Sequence, residues 1–330
     1  MSLAPRKTPL SALVLALGLL APASALAAPP SAEAPALQGE TCSLEGLLGQ
    51  IRHGLGSKSE AYKRYLRTLL SESAVNLPLG ELQAAFEREY DPVMVEHLAA
   101  ALVARTERGL EDEAMESVAR RALGDRDPAL RAATVRAMRQ TGALERTGDM
   151  YERLMRDPSP EVRQEAATNL ITDNREVYGG RDGKAADTAV AAAAASSDPE
   201  VTARILGNLM TGEVSADSAR TLENLLGSDS AQVRAAASTA LGGVPAAQMA
   251  SARETLGAQY RAETDPQARK AMLASIARLG FSSAVPELKR LREVDPRLAP
   301  EIDAWTRVLE MNLQEWSLIQ SAKQRLSQTR

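Results

Sequence analysis

An Asp followed by Pro, or by a Ser-containing substitute, recurs along this chain at the start of apolar-periodic segments. The anchors are Asp91, Asp127, Asp157, Asp198, Asp229, Asp265 and Asp295, at intervals of 30 to 41 residues. A second feature follows downstream in Leu130-Arg131, Val162-Arg163, Val233-Arg234 and Ala268-Arg269. Val201-Thr202 and Leu298-Ala299 keep the first residue of that pair and lose the arginine. A unit this short cannot bury an apolar face alone, so a repeat of this length predicts units stacked on their neighbours.

Local physics turns each anchor into a helix start. An Asp or Ser at the N-cap accepts a bond from an unpaired helix N–H, and Pro is preorganised for the first helical position. Asp127-Pro128, Asp198-Pro199, Asp265-Pro266 and Ser159-Pro160 fit this pattern. Behind the caps run helical stripes: Val162, Ala166, Leu170; Val201, Ile205, Leu209; Val233, Ala237, Leu241; Ala268, Met272, Ile276. Short amphipathic segments precede the caps, at 150–155, 222–226 and 288–294. Each unit therefore reads helix, tight turn, helix. Composition agrees: aromatics are only 3% and alanine about 18%, which suits closely packed helices.

At these residues the chain resembles the HEAT repeat family. The helix pair, the Asp127-Pro128 turn with Leu130-Arg131, and Ser159-Pro160 with Val162-Arg163 carry the likeness, which covers about 82–316. The resemblance implies an all-α fold, a right-handed α-solenoid of about seven HEAT-like helix pairs with helical N- and C-terminal caps. It also implies a structural ladder in which turn Asp residues pair with second-helix Arg residues of neighbouring repeats. That ladder is expected at Asp127, Asp157, Asp229 and Asp265 with Arg131, Arg163, Arg234 and Arg269, interrupted at Thr202 and Ala299. The array is assigned to 82–300, with a helical cap at 44–81. Residues 301–330 are expected as a C-terminal capping helix, with a coiled-coil seam as the alternative. The 41-residue interval marks an insertion between Asp173 and Lys184.

The first 27 residues read as an export signal. Arg6 and Lys7 precede an apolar run from Leu10 to Leu20, Pro22 breaks it, and Ala25-Leu26-Ala27 matches a cleavage site. The run is shorter than a spanning helix, and Cys42 stands too far from it for a lipoprotein signal. A retained N-terminal anchor is the alternative. The mature protein is expected to be periplasmic or secreted, of bacterial style and without an integral membrane span. Residues 28–43 read as a flexible Pro/Ala-rich linker. At its end, Cys42 is either an unpaired thiol or one half of an intermolecular disulfide.

Little chemistry is legible. One Cys and two His, His53 and His97, exclude a disulfide framework and a cysteine-rich zinc site. No metal or cofactor is expected. Residues 178–184 (YGGRDGK) resemble a phosphate loop only superficially, because Ala185 replaces the hydroxyl residue and no strand precedes it. Asp173, Asn174, Glu176 and Asp182 match no EF-hand spacing. Lys58, Tyr62, Lys63, Arg64, Tyr65 and Arg67 interleave cations and rings as single-strand binders do, but with Leu66, Leu69 and Leu70 they read as an ordinary amphipathic helix with a solvated basic face. With a net charge of -4, no nucleic-acid partner is expected. The acid pairs Glu111/Glu113 and Glu287/Glu293 read as solvated faces.

These observations predict an exported, non-catalytic scaffold that presents its helices to another protein or peptide. The alternatives are a HEAT-associated enzyme of bilin-lyase-like type and an architectural envelope component. Counting around the second helices, Ile171, Leu206 and Met210 are candidates for an apolar partner-binding groove. Their alternative is packing against adjacent repeats.

Overall fold

The computed structural model describes residues 44–328, apart from 57–58, 75–76, 108–111 and 140–143. The signal, the linker and Cys42 therefore lie outside the described residues, as do Lys58 and Glu111. The first helices are α1 (Leu44–Leu55), α2 (Glu60–Ala74), α3 (Leu79–Arg88), α4 (Pro92–Glu107), α5 (Asp112–Gly124) and α6 (Pro128–Ala137). Next come α7 (Leu144–Leu154), α8 (Pro160–Thr172), α9 (Gly183–Ala195), α10 (Pro199–Asn208), α11 (Ala216–Leu225) and α12 (Ala231–Leu241). The last are α13 (Ala246–Ala262), α14 (Pro266–Gly280), α15 (Val285–Val294), α16 (Ala299–Leu309) and α17 (Trp316–Gln328). No strand occurs among the described residues.

The helices form two layers. Even-numbered helices from α2 to α16 each touch the next even one, and odd-numbered helices from α3 to α13 do the same. Between the layers lies the core. The sequence stripes point into it: Val162, Ala166 and Leu170 are buried, as are Val201 and Ile205, Val233 and Leu241, Met272 and Ile276. The protein is all-α and is a helical-repeat protein.

Caps start the even helices as capping chemistry requires. Asp91 accepts Val93 N and Met94 N at 2.9 and 3.0 Å, and Asp127 accepts Ala129 N at 2.9 Å. Asp198 accepts Glu200 N at 3.1 Å, and Asp265 accepts Gln267 N and Ala268 N at 2.9 and 2.8 Å. Before α12 the cap is Ser230 rather than Asp229. Ser159 starts α8 without a side-chain cap bond. Asp295-Pro296 caps nothing: its carboxylate is held by Tyr260 and Arg269, and Pro296 opens a single 3-10 turn instead.

Two segments depart from expectation. The insertion begins as a π-helix at 173–177 and then turns at Gly179 and Gly180, whose φ values are 58° and 67°. The C-terminal segment is two helices, not one. Asn312, at φ 52°, breaks the run between α16 and α17, a left-handed position that Asn tolerates better than most residues. Trp305 and Trp316 then stack across the break, with centroids 5.5 Å apart and planes 8° apart, so α17 folds back on α16.

Candidate functional site

The turns between layers share one construction, finer than the sequence reading recognised. Two residues before each cap stands a side chain that accepts the cap's own N–H. These are Asp125 to Asp127 N (3.0 Å), Asp157 to Ser159 N (2.8 Å), Ser196 to Asp198 N (3.1 Å), Ser228 to Ser230 N (3.2 Å) and Glu263 to Asp265 N (2.8 Å). Four residues after the cap comes the arginine. It donates to the carbonyl that opens its own turn: Arg131 to Asp125 O (2.7 Å), Arg163 to Asp157 O (2.8 Å), Arg234 to Ser228 O (2.8 Å) and Arg269 to Glu263 O (2.6 Å).

Its remaining N–H groups reach the carboxylate of the following turn. Arg131 makes a bidentate pair with Asp157 at 2.8 and 2.7 Å, and Arg234 does the same with Glu263 at 2.6 and 2.8 Å. Arg163 donates to Asp198 at 2.9 Å and Arg269 to Asp295 at 3.0 Å. The acceptors are thus Asp157, Asp198, Glu263 and Asp295. Asp127 and Asp265 serve as caps instead, and Asp229 gives Arg234 only a backbone carbonyl at 3.0 Å. The phase slipped because Pro made the cap Asp conspicuous, while the arginine's acceptor stands two residues before the next cap at Asp157 and Glu263 and is the cap itself at Asp198. At the break, both halves are missing together: Thr202 replaces the arginine, and Ser228 replaces the next carboxylate.

Electrostatics follow from these pairs. The Arg234 guanidinium holds the Glu263 carboxyl down at about 2, and Arg163 likewise lowers Asp198. Arg131 is raised by its hydrogen bond to Asp157, and Arg234 by Glu263. Arg131, Arg234 and Arg269 spend their hydrogen bonds on carbonyls and carboxylates of the turns, which suits a structural device, whereas the Nε of Arg163 is buried without a partner.

Stacking leaves the open side of the even helices uncovered; a separate cavity of about 800 Å³ lies between α1 and α3, lined by Leu44, Leu48, Arg52, Glu81, Ala85 and Glu89. A row helix has neighbours on both flanks and the odd layer behind, so only one stripe remains for solvent. On α8 that stripe is Gln164, Thr168 and Ile171, on α10 Ala203, Arg204 and Gly207, on α12 Ala235 and Thr239, and on α14 Lys270, Ala271, Ala274 and Arg278. Across α4, α6 and α8 it is laced by polar bridges. Arg136 joins Glu96 and Glu165 at 3.1 and 3.0 Å, Arg139 joins Glu165 at 2.5 Å, and Arg204 reaches Gln164 and Thr168 at 2.5 and 2.9 Å.

The groove expected at Ile171, Leu206 and Met210 is corrected by burial. Leu206 is 0% exposed, Ile171 half-buried, and only Met210 lies open, at 46%. Leu206 stands 140° around the helix from Val201, which is a flank packed by an adjacent helix and not the open stripe. Met210 covers the insertion: its N and O bond the Asn174 side-chain amide at 2.8 and 3.2 Å, and it lies over Gly180.

Other sequence candidates are occupied. Asp182 accepts Lys184 N at 2.8 Å, filling the helix start where a phosphate would bind. Tyr62 and Tyr65 stack on each other with centroids 6.5 Å apart, and Lys63 pairs with Glu60 at 2.8 Å. Glu287 lies 3.7 Å from Arg253. Among the described residues, no group of three or more His, Cys, Asp or Glu is placed to hold a metal ion. No helix among them is long and apolar enough to cross a membrane.

No family model matches the chain, and no curated protein sequence is similar to it. Among solved structures, human deoxyhypusine hydroxylase in complex with glycerol is similar over 81% of this chain and 96% of that one. The identity is 17% and the TM-score 0.30. The expectation of a non-catalytic chain is corrected by this comparison, since the similar structure is that of an enzyme and a helical array does not exclude catalysis. At this level of likeness no activity is carried over.

Proposed function

We propose that this chain is an exported HEAT-like array, periplasmic or secreted. In this reading the pairs α3/α4 through α15/α16 are the repeats, and the open side of the even helices binds another protein. The observation that carries it is the stripe across α10, α12 and α14. Ala203, Gly207, Ala235, Thr239, Ala271 and Ala274 give that face a low floor between the long side chains of Arg204, Lys270 and Arg278, where a merely solvated helix face would carry long side chains throughout. The Arg234–Glu263 rung supports the reading by tying α12 to the turn that starts α14 at one end of the floor. Export rests on the n-region, apolar run and Ala25-Leu26-Ala27 order.

Cross-linking in native cell-envelope fractions, followed by purification of the chain, tests the reading. Ala235→Arg and Thr239→Arg add bulk to exposed or half-exposed positions, so melting should hold while the cross-linked partner is lost. Retention of the partner by both variants would refute the docking face. Recovery of a chemically altered partner would put the enzyme reading first. Intact mass of the native protein should lack the first 27 residues or so, and the full chain found in the cytoplasm would defeat export.

A further inference from the structure

The open face is not electrically uniform. Across α4, α6 and α8 its arginines are matched by Glu96 and Glu165. Across α10, α12 and α14 that matching stops. α12 and α14 contain no Asp or Glu at all, and α10 contains only Glu200, exposed one turn before Arg204 and in no ion pair with it. Three exposed cations stand on this part of the face: Arg204, Lys270 and Arg278. Among the described residues none of them is in an ion pair, although Arg204 bonds the neutral Gln164 and Thr168. In a chain of net charge -4, this face carries three exposed cations against the one carboxylate of Glu200, and the helix that bears Lys270 and Arg278 has none.

Position gives the cluster a shape. Lys270, Ala271, Ala274 and Arg278 fall on one stripe of α14, Ala235 and Thr239 on the matching stripe of α12 with Gly243 in the turn beyond its end, and Ala203, Arg204 and Gly207 on that of α10. The stripes adjoin: a methyl group added at Gly207 would stand 4.0 Å from Ala236 Cβ, and one at Gly243 would stand 3.4 Å from the Arg278 guanidinium. Small side chains thus form a floor, with Arg204 and Lys270 toward one margin and Arg278 at the other. Arg278 is braced from outside by the Trp316 ring, 6.0 Å from its centroid. Packing around Arg278 lowers its pKa, and no carboxylate offsets that loss of hydration.

We propose that this face of α10, α12 and α14 seats an acidic, extended segment of the partner protein. The inference rests on the docking reading above and specifies the chemistry of its occupant. Three adjacent helices span roughly 20 Å, the length of about six extended residues. A segment lying along the floor would place its carboxylates at Arg204 and Lys270 on one side and Arg278 on the other. Uncompensated cations attract such a segment at long range, and the Arg planes can hold its carboxylates bidentately.

The test uses the mature chain and three fluorescent peptides of about eight residues, alternating Ala with Glu, Gln or Lys. The Glu peptide is expected to bind at least about tenfold more tightly than the Gln peptide, with affinity falling as salt rises, and the Lys peptide not at all. Arg204→Glu/Lys270→Glu/Arg278→Glu, or the milder Lys270→Gln/Arg278→Gln, should weaken the Glu peptide by about tenfold or more with melting retained. Thr239→Arg separates a seat from diffuse attraction. It adds positive charge yet fills the floor, so a seated segment binds more weakly and a diffusely attracted one more tightly. Tighter binding by Thr239→Arg, or unchanged binding by the charge variants, overturns the proposal. Equal binding of the Glu and Gln peptides, blocked by Thr239→Arg, overturns the acidic preference and leaves the docking face standing. Retention of the envelope partner by the floor variants instead refutes the docking reading itself.

Discussion

Replacing Glu263 by Gln should cost the protein about 3 kcal/mol near neutral pH and much less in acid. Glu263 accepts Nε and Nη2 of Arg234 at 2.6 and 2.8 Å, and Thr264 N and Asp265 N at 2.8 Å each. Its side chain is 1% exposed, so the pair is shielded from solvent screening. The Arg234 pair brings its carboxyl from the ordinary 4.5 to about 2. A carboxyl depressed on folding contributes stability that is fully present above its ordinary value and lost as pH falls through the folded one. The window is therefore pH 4.5 down to about 2. Glutamine keeps one acceptor for the backbone N–H groups but turns an amide N–H toward Arg234. Urea unfolding of wild type and Glu263→Gln, with equal slopes verified, should give a gap of about 3 kcal/mol near pH 7 and about 1 kcal/mol near pH 3. Other carboxylates titrate in both proteins and cancel in the difference. A gap that is the same at both pH values would refute the reasoning, because it would show the loss to be one of shape and not of charge.

The Arg131–Asp157 rung should show strong coupling: each single Ala variant leaves a buried charge behind, so a double-mutant cycle should return at least about 1.5 kcal/mol, and additivity would sink the rung. Leu206→Glu should collapse the unfolding transition by burying a carboxylate between helices, whereas Met210→Glu should shift melting by no more than a few degrees; the reverse order would contradict the burial pattern. Gly180→Ala should cost about 1–2 kcal/mol, because φ is 67° and the added methyl would lie 2.5 Å from Met210 Cβ. Met210→Ala in that background should recover only the steric part, as judged by melting. Ser228→Asp alone should destabilise, and adding Thr202→Arg should reverse the loss by rebuilding the missing rung; no recovery in the double variant would show that the gap between α10 and α12 has another cause.

The caps and buried stripes were legible because each rests on local chemistry with one reading. Asp-Pro opens a helix, and Val162, Ala166 and Leu170 fall on one side of it whatever lies next door. The ladder was legible in kind but misphased. Arg131 and Arg163 announced themselves, whereas the acceptor depends on a turn whose first residue can be Asp157, Ser196 or Glu263. The open face was misplaced for a different reason. Opposition to Val201 marks the open side only for a helix with one neighbour, and Leu206 at 140° falls on a flank that a second neighbour covers. Periodicity states which residues share a side, while the number of sides covered is a property of the stack. The break at Asn312 had no strong signal, since neither Gly nor Pro marks it and the Trp305–Trp316 stack joins residues eleven apart.

The same residue type therefore does opposite work according to its row in the repeat. Four residues after the cap, an arginine lies between turns and donates to a carbonyl of one and a carboxylate of the next: Arg131, Arg163, Arg234 and Arg269. Six or thirteen residues after the cap, it reaches the open stripe. Arg204 and Arg278 stand there beyond the reach of any turn carboxylate. A carboxylate on the neighbouring helix could still neutralise them, as Glu165 neutralises Arg136 and Arg139. On α12 and α14 the positions that match Glu165 are Ala236 and Ala271 instead. Cohesion thus draws on the first row of cations along the array, and the last row is left without a counter-charge only where the floor is also smallest. Stability gives no reason for these two properties to coincide, since solvated Glu side chains on α12 would cost nothing and would add cross-helix pairs. A segment that needs both room and positive charge gives one.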